Sequence, residues 1–247
     1  MTFMCCCYSL PATHFTTLFS MHIPPGCEER LRHLMKIFLV ENQKLNLSAF
    51  RTPEQCWTGN VLDSLAAVEY MAQNPQRHAD RWLDLGTGGG FPLLPLAICL
   101  PGAHHTGLDA TRKKIDAVQR IVHALNLQNI TLLCERTEIL GRNTEHRAQY
   151  DAVTARAVAP LHTLLEYAAP FLRIGGCLLA WKSTHIEQEL QDSLLARAEL
   201  SCHLVQKHEY ELADGFGRRQ ILVFEKMAKT PERFPRAVGE AKKKPVM

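Results

Sequence analysis

No pair of cysteines in this 247-residue chain is spaced C-x-x-C, although nine cysteines are present, and the twelve histidines fall at no zinc-ligand spacing. Neither a zinc centre nor a dithiol redox motif is therefore expected, and no other metal site is indicated. An odd number of cysteines without regular spacing also points away from a disulfide framework and toward a reducing compartment. No apolar run approaches the roughly 20 residues needed to span a bilayer, so no membrane span is expected. The apolar stretch Met4-Cys5-Cys6-Cys7-Tyr8 lacks a basic region before it and a clear cleavage site after it, so it does not read as a secretory signal. A large excess of positive charge is missing too. A formal net charge of +3 implies a polyanionic partner only if cations cluster locally. What is present is ordinary for a globular chain, with 46% hydrophobic and 21% charged residues. That length suits one domain of about 170 residues with an appendage.

The pattern divides the chain into four parts. Residues 1–24 read as a disordered extension, or as sequence upstream of a working start at Met21. Residues 25–78 form a small helical region. In it Leu31, Leu34, Met35, Phe38, Leu39 and Leu45 follow the spacing of an amphipathic helix that ends at Asn46-Leu47-Ser48. Pro53 opens a second helix, with Trp57, Val61, Leu65 and Val68 on one face. Residues 79–226 alternate strands at 81–85, 104–108, 129–133, 150–154, 176–181, 203–209 and 219–225 with helices at 92–100, 111–125, 160–172 and 185–199. Such alternation indicates an α/β fold, a Rossmann-like seven-stranded sheet that is mostly parallel. The short loop at Asp214-Gly215-Phe216-Gly217 allows a hairpin, which makes the last strand antiparallel. Residues 227–247 form a basic tail punctuated by Pro231, Phe234-Pro235 and Pro245, and regular structure is not expected there.

The most informative stretch is Trp82-Leu83-Asp84-Leu85-Gly86-Thr87-Gly88-Gly89-Gly90-Phe91, a buried strand that ends in a glycine-rich turn and opens a helix. Glycines there let a ligand approach the backbone closely. About twenty residues on, Asp109 ends the next strand, where a ribose hydroxyl would lie. A dinucleotide fingerprint requires a third glycine where Phe91 stands, so that pattern is broken. Asp84 would also repel a pyrophosphate, whereas it suits the cationic amino-acid end of S-adenosylmethionine. Methyl-donor binding thus leads over a nicotinamide-dependent oxidoreductase, and over a turn that binds nothing.

Three further strand ends reach the same sheet edge. In Cys134-Glu135-Arg136-Thr137-Glu138, a backbone amide and a carboxylate could bond an adenine; the plain alternative is a helix start capped by Thr137. Tyr150-Asp151-Ala152-Val153-Thr154-Ala155-Arg156-Ala157 delivers Arg156 to the crevice where open α/β sheets bind ligands. Trp181-Lys182 repeats that arrangement, and for Lys182 a structural and a functional role are equally open.

These motifs, in this order, together with Leu108-Asp109-x-x-x-Lys113-Lys114, Gly175-Gly176 before Trp181-Lys182, and Phe234-Pro235-Arg236-x-x-Gly239, resemble those of the RsmG (GidB) family. Members of that family are 16S ribosomal RNA guanine-N7 methyltransferases. The resemblance runs from about residue 28 to the C-terminus. It implies that Gly86, Gly88, Phe91, Asp109, Thr137 and Glu138 line the S-adenosylmethionine site, with Arg156 beside both methyl donor and target base. It also implies Lys182 near the chemistry and Arg136, Arg219 and Arg236 as RNA contacts. The expected partner is 16S ribosomal RNA or the small ribosomal subunit, and the protein is expected to be a cytoplasmic monomer. Three positions depart from the family pattern: Leu93 replaces a glycine, Asn60 a histidine before Asp63-Ser64-Leu65, and Ser183 a glycine after Lys182. A small-molecule or protein methyltransferase of the same fold, and a non-catalytic RNA-binding module, remain alternatives.

Overall fold

The computed structural model describes residues 23–247, so the cysteine-rich first twenty residues lie outside it. Five strands are parallel: β1 (Arg81–Leu85), β2 (His104–Leu108), β3 (Ile130–Leu133), β4 (Tyr150–Arg156) and β5 (Leu172–Lys182). Two longer strands, β6 (Cys202–Leu212) and β7 (Gly217–Lys226), form a hairpin, and β7 inserts antiparallel between β5 and β6. The order is β3-β2-β1-β4-β5-β7-β6. The order of successive strands reverses between β1 and β4, which opens a crevice at their carboxyl ends.

Alternation along each strand builds two cores. Leu83 and Leu85 of β1 face one side, where α7 (Leu161–Ala168), α9 (Leu194–Glu199) and Phe234 pack. Trp82 faces the other, against α1 (Glu28–Leu45), α3 (Asp63–Gln73) and α4 (Leu93–Cys99). Asp84 has the parity of Trp82, so it points beneath the glycine turn toward the helical region. α5 (Arg112–Ala124) covers the same face, and Val118 and Ile121 are fully buried there.

Three elements differ from the sequence expectation. The second helix is not uniform. α2 (Pro53–Cys56), capped by Thr52, runs through a π-helical stretch (Trp57–Leu62) into α3. Within this stretch the carbonyl of Gly59 accepts from Arg156 at 3.0 Å, and π-helical turns are frequent at functional sites. The expected helix at 185–199 divides into α8 (Glu187–Asp192) and α9 at Ser193, whose hydroxyl donates to Leu190 O at 2.8 Å in competition with the helical ladder. The expected helix at 160–172 ends early at Ala168, and β5 begins at Leu172.

The C-terminal tail is the largest correction. It folds back over α6 (Thr137–Leu140) and α7, and it ends near a short α10 (Glu240–Lys243). Phe234 is 1% exposed within the second core. One guanidinium, Arg147, donates to the carbonyls of Gly141, Thr230, Pro231 and Phe234. Charge and proline content describe the tail's surface, but a single buried aromatic fixes its position. Phe234→Ala is expected to lower unfolding stability by about 3–5 kcal/mol in a denaturant melt. A loss below about 0.5 kcal/mol, typical of surface positions, would mean the tail is only loosely attached.

Candidate functional site

Asp84, the penultimate residue of β1, is 3% exposed. Thr154 of β4, its register partner, donates to Asp84 Oδ1 at 2.8 Å, and no hydrogen bond reaches Oδ2. Burial pushes this carboxyl up to about 6, although the Thr154 hydroxyl and the charge of Arg156 favour ionisation. The turn that follows is held from β2. Thr87 N donates to Leu108 O at 2.9 Å, and Gly88 N to Asp109 Oδ2 at 3.1 Å. Asp109 also accepts from Thr111 N at 2.8 Å, and Lys114 Nζ lies 3.7 Å away. Asp109 is thus a brace for the turn, and its carboxylate also lines the cavity beside it. Gly86 has φ +65°, and a Cβ there would lie 3.0 Å from Val158. Any side chain would be both strained and crowded.

Beside this turn lies a cavity of about 260 Å³ lined by Gly86, Asp109, Thr137, Glu138, Tyr167 and Lys242, among others. Glu138 is 3% exposed, and its Oε1 accepts from Arg136 and from Gly239 N. Burial raises its pKa, but the Gly239 amide and Arg136 outweigh that and hold it below the usual range. Glu138 Oε2 and the Tyr167 hydroxyl are both buried without hydrogen-bond partners. Burial, reinforced by the Glu138 charge, pushes Tyr167 up to about 12. Thr137 is the first residue of α6 and makes no capping bond, so the capped-helix alternative does not apply.

Ala157 and Val158 connect this cavity to a second of about 210 Å³ lined by Asp63, Arg156, Trp181, Lys182 and Arg219. The trough therefore follows the carboxyl ends of β2, β1, β4 and β5 across the point where the strand order reverses. Larger cavities, of about 370 and 480 Å³, sit at the opposite ends of the strands. Their charged lining is satisfied internally by Arg77–Glu225 and Arg173–Asp151 pairs, so position and unmet polar groups favour the smaller trough.

The positive residues divide differently from the sequence expectation. Arg156 spends its guanidinium on the helical region, donating to Asp63 Oδ2 (2.9 Å), Gly59 O (3.0 Å) and Asn60 Oδ1 (2.8 Å). Asp63 in turn accepts from the Tyr210 hydroxyl at 2.6 Å and, through its carbonyl, from Trp181 Nε1 at 3.0 Å. Lys182 is tied to Ala159 O at 3.0 Å and to Glu189. Both residues line the second cavity, but both also brace it. Arg219 lines the same cavity, and Arg136 is 45% exposed at the rim of the first. Arg236 is not placed as a surface RNA contact: it makes a two-pronged pair with Glu166, which is 1% exposed. Phe91 is not placed against the cofactor cavity either. Its ring packs edge-on against Phe38 at 4.8 Å in the first core, because α1 covers this side of the turn. Tyr167 and Lys242 were not legible in the sequence, since neither belongs to a local motif. Among the described residues no cluster of His, Cys, Asp and Glu could hold a metal, and no helix is long and apolar enough to cross a membrane.

Comparison with known proteins agrees with this geometry. The family model for GidB, rRNA small subunit methyltransferase G, matches residues 27–220. Curated proteins named ribosomal RNA small subunit methyltransferase G are similar over most of their length. That of Deinococcus radiodurans is 40% identical over 86% of this chain and 83% of its own. That of Chloroflexus aggregans is 38% identical over 94% of this chain and 95% of its own. Among solved structures, magnesium protoporphyrin IX methyltransferase from Synechocystis with bound SAM superposes with TM-score 0.55 at 14% identity, over 80% of this chain and 97% of its own. That likeness speaks to the fold alone.

The raised carboxyl of Asp84 has a measurable consequence. Folded Asp84 holds its proton more tightly than the unfolded chain does. Its cost to stability is therefore absent below about pH 4, grows as the pH rises to 6 and is fully present above that. Asp84→Asn is expected to be more stable than wild type by about 2–3 kcal/mol near pH 8. That advantage should shrink toward zero at pH 4 in parallel melts. A pH-independent difference would mean that Asp84 is not a strained buried acid.

Proposed function

The chain belongs to the GidB family of rRNA small subunit methyltransferases, and from that premise we propose that it methylates N7 of a guanine in 16S ribosomal RNA, using S-adenosylmethionine. The observation that carries the cofactor reading is a set of unmet polar atoms, two on residues that line the first cavity and two beneath the turn that borders it. Asp84 Oδ2 and Thr87 Oγ1 lie under the turn, and Glu138 Oε2 and the Tyr167 hydroxyl lie at the far end. Buried polar groups without partners are costly, and a ligand with donors at both ends would satisfy them. Asp84 suits an ammonium, Asp109 a ribose and Glu138 an exocyclic amine.

When bound, S-adenosylmethionine supplies an activated methyl group on a sulfonium. The protein's task is then to hold the nucleophile in line with that methyl group and to exclude water. Guanine N7 has a free lone pair and no proton, so no general base is needed. This fits the second cavity, where the acid in the lining, Asp63, is already committed to Arg156 and Tyr210. Arg156 acts here as a positioning residue that fixes the cavity wall, while Arg219 and Lys182 supply positive charge beside the target base. The base must be unstacked to enter, and the phosphates flanking it would meet Arg136 and Arg219. A ribosomal RNA substrate supports a cytoplasmic location.

Two measurements test separate halves of this reading. S-adenosylhomocysteine should raise the melting temperature, with stabilisation of about 2.7 kcal/mol at a hundredfold excess over Kd, and Gly86→Asp should abolish the shift. An unchanged wild-type melt at millimolar ligand would sink the cofactor assignment. 7-Methylguanosine should disappear from one site of 16S ribosomal RNA in a deletion strain and return with the wild-type gene. Cofactor binding with unaltered ribosomal RNA would leave a methyltransferase with another substrate.

A further inference from the structure

Glu138 does not hold its position by itself. Its Oε1 is fixed at 2.9 Å by the amide of Gly239, a residue 101 positions away in the chain. Gly239 belongs to the folded-back tail, and Lys242, one turn further, lines the cavity that Glu138 faces. The tail is anchored independently of that contact. Arg236 forms its two-pronged pair with Glu166 of α7, Thr163 donates to Ala241 O at 3.2 Å, and Thr230 donates to Ala169 O at 2.8 Å. On the cavity side, the second oxygen of Glu138 and the Tyr167 hydroxyl remain buried and unpartnered.

We propose that the segment beyond Lys226 is a structural part of the cofactor site. In this arrangement Gly239 aims Glu138 so that its free oxygen meets the adenine amino group, and docking of the tail and binding of the cofactor strengthen each other. The proposal rests on the S-adenosylmethionine reading above. Its physical basis is reciprocity: if the docked tail orients an acceptor for the cofactor, the bound cofactor must stabilise the docked tail by the same factor. Arg236 and Gly239 are thereby positioning residues for cofactor binding. This role differs from the one the family resemblance implied, in which Arg236 touches RNA.

The test uses the full-length protein and S-adenosylhomocysteine as probe. Calorimetry on the wild type comes first; failure to bind would remove the cofactor reading and this proposal together. With wild-type binding established, Arg236→Ala should weaken affinity by roughly tenfold, about what one hydrogen bond to a charged group contributes. Glu138→Gln should weaken it similarly, and the double variant should be little worse than either single one, because both act through the same carboxylate. Additive losses, or a folded Arg236→Ala with wild-type affinity, would overturn the proposal. Hydrogen exchange on the wild type covers the case in which Arg236→Ala does not fold. The ligand should slow exchange at amides 237–243, the Gly239 amide above all, and unchanged protection there would equally overturn it.

Discussion

A carboxylate buried at a sheet edge must be compensated, and Asp84 is compensated only in part. Thr154 satisfies one oxygen and nothing satisfies the other. Its ionised form is tolerated because Arg156 stands nearby, and Arg156 stands there because Asp63, Asn60 and Gly59 hold it. The helical region is therefore more than a cover for the sheet. It carries the counter-charges that fix a cation at the end of β4, and that cation in turn helps keep Asp84 ionisable. A residue that costs stability in the free protein is retained where a ligand can repay it, a usual compromise at binding sites.

The two halves of the trough follow different logic. Near Asp84 and Glu138, one oxygen of each carboxylate is buried without a hydrogen-bond partner. Arg156, Lys182 and Asp63 each have a charged partner, which braces that side of the trough before any ligand arrives. An end with unpaired carboxylate oxygens suits a small molecule that carries N–H donors. A braced, cation-lined end suits a base whose phosphates stay outside. Pre-formed positive charge of this kind costs little to reorganise when an anionic partner docks.

Much of the trough could be read from the chain because its parts are local. Asp84, the glycine turn and Asp109 sit at fixed offsets on consecutive strands, and alternation of strand and helix gives the sheet. What could not be read depends on contacts distant in sequence. Arg156 as a strand-end cation was visible, but its partners lie 93 to 97 positions earlier. Phe91 was assigned by its place in a motif, yet α1 claims its ring. The packing of the basic tail was not visible because composition does not register the burial of Phe234. Two departures from the family pattern become intelligible in the same terms. Leu93 packs against β2 where Gly107 has no side chain: a Cβ there would be 2.6 Å from Leu93 Cδ2. Asn60 supplies the amide that joins Arg156 to Ser48.

The central claim, that Asp84 is the counter-charge for a cationic cofactor, predicts a proton balance. Binding should lower the pKa of Asp84 from about 6, so complex formation near pH 6 must release a proton from the fraction still protonated. Calorimetric titration of S-adenosylhomocysteine in buffers of different ionisation heat measures this directly. The account predicts release of roughly half a proton near pH 6, falling toward zero near pH 8, and no release in Asp84→Asn at any ligand concentration. Binding heats independent of buffer near pH 6 in the wild type would contradict it.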